Sequence, residues 1–300
     1  MSAARFGQLI TAMVTPFASD GALDPKAARR LAGHLVDHGS DGLVVAGTTG
    51  ESPTLSHAEK LELFEAVLAE VGDRATVIAG TGSYDTRETI ELTAAACDLG
   101  VHACLVVTPY YSKPPQNGLL AHFRAVADAA TKPLMLYDIP GRTARRIERE
   151  TMVELAAHER IVAVKDAVGD AGETAALRRD LDAAGHEDFE IYSGDDPLVF
   201  PHLAAGAVGL VSVCSHLVGP QLKQVFESWD AGRTADARRS YLELLPFMRT
   251  IMTLTASPIP VKAAVNMLGL DVGEPRLPLV PATGDESAAI RAAMEGQGLL

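Results

Sequence analysis

Eight short runs rich in Val, Ile, Leu and Ala recur along the chain: Leu9–Val14, Leu43–Ala46, Ala75–Ala79, Ala103–Val107, Leu134–Tyr137, Ile161–Val164, Phe189–Tyr192 and Val208–Val213. They are apolar almost throughout instead of alternating with polar residues, which is the pattern of strands buried on both faces of a parallel sheet. Parallel neighbours need a crossover between them, and a spacing of roughly 30 residues is the length of one strand–helix unit. Eight units predict an α/β fold, a closed (β/α)8 TIM barrel, with an open doubly wound sheet as the alternative. The glycines weigh against the open sheet. No Gly-rich dinucleotide fingerprint follows the first run, Gly80-Thr81-Gly82 lacks a third glycine, and Gly47-Thr48-Thr49-Gly50 lacks the Gly-Lys-Ser/Thr ending of a P-loop.

The intervening segments carry helix punctuation. Asp24-Pro25 offers an N-cap and an N1 proline, with Gly39 as the stop. Ser56-His57-Ala58-Glu59 reads as a capping box, followed by Leu61, Phe64, Val67, Leu68 and Val71 on one face and Gly72 as a stop. Asp85 with Glu88 repeats the cap ahead of a helix that Gly100 ends. From about Asp230 the strand signal stops, and helix-like segments over Ala235–Arg249, Pro260–Leu268 and Asp285–Met294 finish the chain. The expected organisation is a catalytic barrel domain over 1–229 and a C-terminal helical domain over 230–300.

Charge and length narrow the function classes. Thirty-nine acidic against 26 basic residues leave a net charge of −13, which repels phosphate backbones and anionic headgroups, so neither nucleic acid nor a membrane is expected as a partner. No apolar run approaches the ~18 residues of a spanning helix, and Met1–Gly7 shows no basic patch ahead of an apolar core. Three scattered cysteines, Cys97, Cys104 and Cys214, fit reduced thiols packed as small hydrophobes. A cytoplasmic, soluble protein is expected.

In a barrel, catalytic groups gather at the C-terminal strand ends. Those positions hold Thr48 and Thr49, Tyr110 and Tyr111, Tyr137, Lys165, and Gly194-Asp195-Asp196. A lysine desolvated at a strand end has a lowered pKa and a free amine able to attack a carbonyl. A neighbouring phenol can carry protons between amine, carbinolamine and solvent. Each residue alone has a plainer reading: Lys165 with its stem on the core and its ammonium in water, Tyr137 as a buried tyrosine with a satisfied hydroxyl, Thr48-Thr49 as a turn. The order and position of the set favour Schiff-base chemistry.

Six stretches sharpen this: Gly47-Thr48-Thr49-Gly50-Glu51-Ser52, Val107-Thr108-Pro109-Tyr110-Tyr111, Tyr137-Asp138-Ile139-Pro140-Gly141-Arg142-Thr143, Val164-Lys165-Asp166-Ala167, Ser193-Gly194-Asp195-Asp196 and Ser257-Pro258-Ile259-Pro260-Val261-Lys262. Together, from about Gly7 to the C-terminus, the sequence resembles the dihydrodipicolinate synthase family of the pyruvate-dependent class I aldolases, in wording most similar to actinobacterial members. The resemblance implies that Lys165 forms the Schiff base with pyruvate, Tyr137 acts as acid and base, and Thr48 and Tyr111 complete a hydroxyl relay, Tyr111 in the neighbouring subunit's site. It implies that Thr49 holds the pyruvate carboxylate and Arg142 that of L-aspartate 4-semialdehyde, with Gly194, Asp195 and Val211 lining the second substrate's side. It further implies a homotetramer, a dimer of dimers, and a reaction in the diaminopimelate route to L-lysine that needs no metal or organic cofactor.

Two alternatives stand beside this. N-acetylneuraminate lyase and the keto-deoxy-sugar-acid aldolases share the lysine and tyrosine and form the same enamine, and Arg142 separates this sequence from them. An inactive barrel serving as a binding protein is the other, opposed by the joint presence of Lys165, Tyr137, Thr48 and Tyr111. Asp138 departs from the asparagine of many relatives and is expected to lie beside the chemistry. Ser52, His57, Glu88 and Tyr110 match the family's L-lysine pocket, but Lys60 and Tyr84 replace its histidine and asparagine, so weak or absent lysine inhibition is expected. His34 and His38, one helical turn apart, are expected as solvated surface histidines, and Arg29-Arg30 and Arg145-Arg146 as solvated basic pairs.

Overall fold

The computed structural model describes residues 4–300. Its elements run β1 (Leu9–Ala12), α1 (Pro25–Asp37), β2 (Gly42–Val45), α2 (His57–Val71), β3 (Thr76–Gly80), α3 (Thr86–Leu99), β4 (Ala103–Val107), α4 (Gln116–Ala129), β5 (Leu134–Asp138), α5 (Pro140–Thr143), α6 (Arg149–Ala156), β6 (Ile161–Asp166), α7 (Ala171–Ala183), β7 (Glu190–Ser193), α8 (Val199–Ala204), β8 (Gly209–Ser212), α9 (Ser215–Asp230), α10 (Thr234–Thr253), α11 (Ile259–Met267) and α12 (Gly284–Glu295). The strands follow one another in chain order around a closed barrel, and each of the eight apolar runs overlaps one of them, with ends differing by at most two residues. No helix among the described residues is long and apolar enough to cross a membrane.

The chain divides into two compact units. The first comprises Ile78–Val211 with the N-terminal segment through Gly7. Its strands are parallel and in register: Val107 pairs with Tyr137, Tyr137 with Lys165 and Lys165 with Tyr192. That register brings the C-terminal ends of β4 to β7 to one level. Leu134, Met135, Leu136, Ala163 and Val164 are buried, as near-continuous apolar strands require, each large aliphatic side chain contributing about 1.5–3 kcal/mol over exposure. Asp85 caps α3 by accepting the Arg87 and Glu88 N–H groups, and Gly100 ends it at φ +90°. Glu88 does not return the bond; its carboxylate accepts the Ser83 hydroxyl at 3.0 Å. Arg146 is no solvated cation, for it shares Glu173 with Arg149 at 2.5 and 3.0 Å. Cys97 and Cys104 do more than pack: their thiols hydrogen-bond one another, pulling Cys97 down to about 6 and pushing Cys104 up.

The second unit comprises Gln8–Val77 and Ser212–Leu300. Asp24 caps α1 through the Lys26 and Ala27 N–H groups, and Ser56 with Glu59 forms the full capping box on α2. The buried face of α2 is Lys60, Leu63, Phe64, Val67 and Val71, with Leu61 and Leu68 at its margin. The expected face was therefore rotated slightly, because reading hydropathy alone left a lysine out of it. His34 is half-buried and His38 exposed, as surface histidines, but their rings stack at 3.9 Å and, with buried His216 and with Leu217, Leu268, Leu270 and Leu299, line a cavity of about 250 Å³. No cluster of three metal-ligating side chains occurs among the described residues. Helices α10, α11 and α12 match the three C-terminal segments expected to be helical, α11 ending one residue short of Leu268.

Candidate active site

Lys165 and Tyr137 occupy the penultimate positions of adjacent strands β6 and β5 and are direct register partners. Parallel neighbours at one level point side chains the same way, and the Lys165 Nζ lies 4.3 Å from the Tyr137 ring centroid. Lys165 is only 5% exposed. Burial, helped by the Arg142 charge and opposed by Asp196, pulls its ammonium down to about 8. The amine is thus a substantial free base near neutrality, the state a nucleophile toward a carbonyl needs. Tyr137 is held from behind, where the Thr108 N–H and hydroxyl both donate to its carbonyl oxygen at 2.9 and 3.0 Å.

Gly194 follows β7 and has no room for a side chain. A Cβ there would fall 2.9 Å from Ala167 Cβ and 3.1 Å from Lys165 Cε, so the glycine lets the chain pass against the reactive stem. Asp195 and Asp196 come next. Asp196 is fully buried and opposes the loss of the Lys165 charge. Burial and the Asp196 charge push the Asp195 carboxyl up to about 6, and its buried Oδ1 has no hydrogen-bond partner. Val211 lies buried in β8.

Arg142 is exposed on the single turn of α5, which Pro140 starts and the left-handed Ala144 ends. The loop returns to the strand where the Ile147 N–H donates to Asp138 Oδ1 at 3.2 Å. Asp138, next to Tyr137, is 3% exposed, and burial raises it to about 7. It anchors the loop carrying Arg142, a role that fits a place beside the chemistry. Tyr111 is 92% exposed, with φ +68°, and the Ser112 N–H donates to Tyr110 O across it at 2.8 Å. This is a γ-turn of the strained hand, holding an aromatic ring out into solvent.

Thr48 and Thr49 belong to the second unit, in the turn after β2. The Glu51 N–H closes on Thr48 O at 3.1 Å and the Ser52 N–H on Gly47 O at 3.2 Å, while Thr15 donates to Gly50 O at 2.6 Å. Thr49 is buried and Thr48 half-buried.

A buried strand lysine with a lowered pKa, set beside the phenol of the next strand in a (β/α)8 barrel, defines the class: a lyase barrel working through amine–carbonyl chemistry. The comparisons then fix the family. The family model described as "Dihydrodipicolinate synthetase family" matches residues 5–297, and the chain belongs to that family. It is 52% identical over 295 residues to the 4-hydroxy-tetrahydrodipicolinate synthase of Synechococcus elongatus, covering 98% of this chain and 97% of that one. It is 54% identical over 297 residues to the synthase of Acidothermus cellulolyticus, covering 98% and 94%. Among solved structures, dihydrodipicolinate synthase from Cyanidioschyzon merolae with lysine bound superposes at a TM-score of 0.94 with 45% identity, covering 98% and 99%. The Acinetobacter baumannii enzyme complexed with pyruvate gives 0.94 at 36%, covering 98% and 100%.

Proposed function

We propose that this chain condenses pyruvate with L-aspartate 4-semialdehyde to give 4-hydroxy-2,3,4,5-tetrahydrodipicolinate and water, a step of the diaminopimelate route to L-lysine. The observation that carries the reading is the buried Lys165 amine, held near 8 and 4.3 Å from the Tyr137 ring, in a chain about half identical to named synthases.

The Lys165 amine attacks the ketone carbon of pyruvate, and Tyr137 passes the proton that lets the carbinolamine lose water. The resulting iminium lowers the cost of removing a methyl proton, giving an enamine. Its carbon attacks the aldehyde of the second substrate, and the new alkoxide takes a proton to become the 4-hydroxyl. The substrate's own amine then adds to the iminium carbon and expels Lys165 as the ring closes, which regenerates the free amine.

In this reading Thr49 holds the pyruvate carboxylate and Arg142 the carboxylate of the semialdehyde, a planar permanent cation suited to bidentate contact. Gly194, Asp195 and Val211 line the second substrate's side. Thr48 and Tyr111 extend the proton relay from Tyr137. Tyr111, strained and 92% exposed, supports a second copy: it enters the neighbouring subunit's site, making a dimer the catalytic minimum within a homotetramer. The enzyme works in the cytoplasm, and residues 230–300 form its helical domain. Reductive trapping of pyruvate, followed by mass analysis, tests the core of this: the adduct forms on Lys165 and is absent from Lys165→Ala. An adduct elsewhere, or none, overturns it.

A further inference from the structure

The most deeply buried ion pair among the described residues takes no part in the reaction as written. Lys262 Nζ, on α11, donates to Glu51 Oε1 at 2.8 Å and to Glu274 O at 3.1 Å, and both charged side chains are 1% exposed. The second carboxylate oxygen of Glu51 accepts the Arg276 N–H at 2.8 Å. Arg276 donates onward to Gly21 O and Thr54 O at 2.8 Å each, and to Glu59 Oε1 at 2.5 Å. Lys262 and Arg276 each place their charge 4.2 Å from the Phe17 ring, and the Phe17 N–H donates to Val272 O at 3.1 Å. Two cations from the C-terminal third of the chain therefore grip the turns that follow β1 and β2.

A pair this dry is a poor means of gaining stability, since desolvating both charges offsets their attraction. Its position suggests another use. Glu51 has φ +56°, a left-handed conformation that a long side chain adopts only when its surroundings impose it. The same residue closes the turn through its N–H on Thr48 O at 3.1 Å. A left-handed backbone held by a doubly bonded carboxylate is a fixed hinge pin two residues beyond Thr49.

We propose that Glu51 and Lys262 are positioning residues for pyruvate: their buried pair pins the Glu51 turn and so sets the Thr48–Thr49 backbone that receives the pyruvate carboxylate. This rests on the function proposed above and adds the device that orders its first substrate.

The test uses the full chain with two substitutions. Glu51→Asp keeps the charge but shortens its reach by one methylene. Glu51→Gln with Lys262→Met removes both charges, so that no unpaired carboxylate stays buried, and retains an oxygen for the Arg276 N–H. Thermal melting establishes folding, trapping on Lys165 gives the half-saturating pyruvate concentration, and turnover gives the KM of each substrate. The expected result is a folded protein needing about tenfold more pyruvate, with the semialdehyde KM within about twofold of the parent. Pyruvate half-saturation within about twofold of the parent, or both constants rising together, overturns the proposal by showing the pair to be merely structural. A parent chain that traps no pyruvate refutes the function itself, and the positioning role with it. A parent that traps pyruvate but does not condense it refutes only the second substrate and leaves the pyruvate titration decisive.

Discussion

Capture of pyruvate should titrate with a midpoint near pH 8, and two neighbours should move that midpoint in opposite directions. An ordinary lysine amine, at 10.5, is pulled to about 8 here. At pH 7 the free-base fraction accordingly rises from about one part in 3,000 to about one in ten, a gain of about 300-fold in attacking amine. Burial is the leading cause, Asp196 holds the ammonium on, and the Arg142 charge drives it off. Asp196→Asn removes the opposing carboxylate without changing shape, so the midpoint falls and capture at pH 6 to 7 quickens. Arg142→Leu removes the assisting cation, so the midpoint rises while trapping itself persists. The assay is the single-turnover rate of reductive pyruvate trapping across the neutral-to-alkaline range, measured on all three proteins. A parental midpoint close to that of a free lysine, or a shift to higher pH in Asp196→Asn, would refute the reasoning.

Asp138→Asn tests the anchor beside Tyr137. Burial raises this carboxyl from 3.8 to about 7, so the folded chain binds a proton that the unfolded chain has lost. Its contribution is whole below the unfolded value and is lost as pH rises toward 7, leaving a cost of about 4 kcal/mol above that. Urea titrations at pH 4 and 8 should find the variant more stable by several kcal/mol at pH 8 and by less than about 1 kcal/mol at pH 4; equal curves for both proteins at pH 8 would contradict this. Gly194→Ala puts a methyl group 3.1 Å from Lys165 Cε, and pyruvate capture should slow about 10- to 100-fold in a folded protein. Tyr111→Phe, at a solvent-exposed ring, should leave melting unchanged while turnover falls about 100-fold; intact turnover would remove Tyr111 from the relay. The sequence resemblance puts Lys60 in the family's L-lysine pocket, where its ammonium would repel a cationic ligand, so low-millimolar L-lysine should leave turnover essentially unaltered.

The barrel was legible because its strands are apolar on both faces, a pattern with few other uses, and because Asp24, Ser56 and Gly100 punctuate helices by local backbone chemistry alone. Helix faces were less legible. Lys60 is buried on α2, although hydropathy assigns a lysine to solvent. Strand-end position drew attention to Lys165 and Tyr137, and the register of β5 with β6 is what sets them side by side. The importance of Asp138 and of the Glu51–Lys262 pair was hidden for a different reason. The Asp138 contact is made by a backbone N–H nine residues on, across an irregular loop, Glu51 and Lys262 lie 211 residues apart, and a lone buried charge leaves no periodic trace. The stacked His34 and His38 show the reverse: the spacing was visible, but the cavity they line depends on residues as distant as Leu299.

The most direct test is turnover with pyruvate and L-aspartate 4-semialdehyde, coupled to dihydrodipicolinate reductase and followed by loss of NADPH, with pyruvate and N-acetylmannosamine run in parallel. Semialdehyde-dependent turnover that disappears in Lys165→Ala is the expected result. Silence there, with condensation of the sugar in the parallel reaction, would contradict the assigned second substrate and the role given to Arg142.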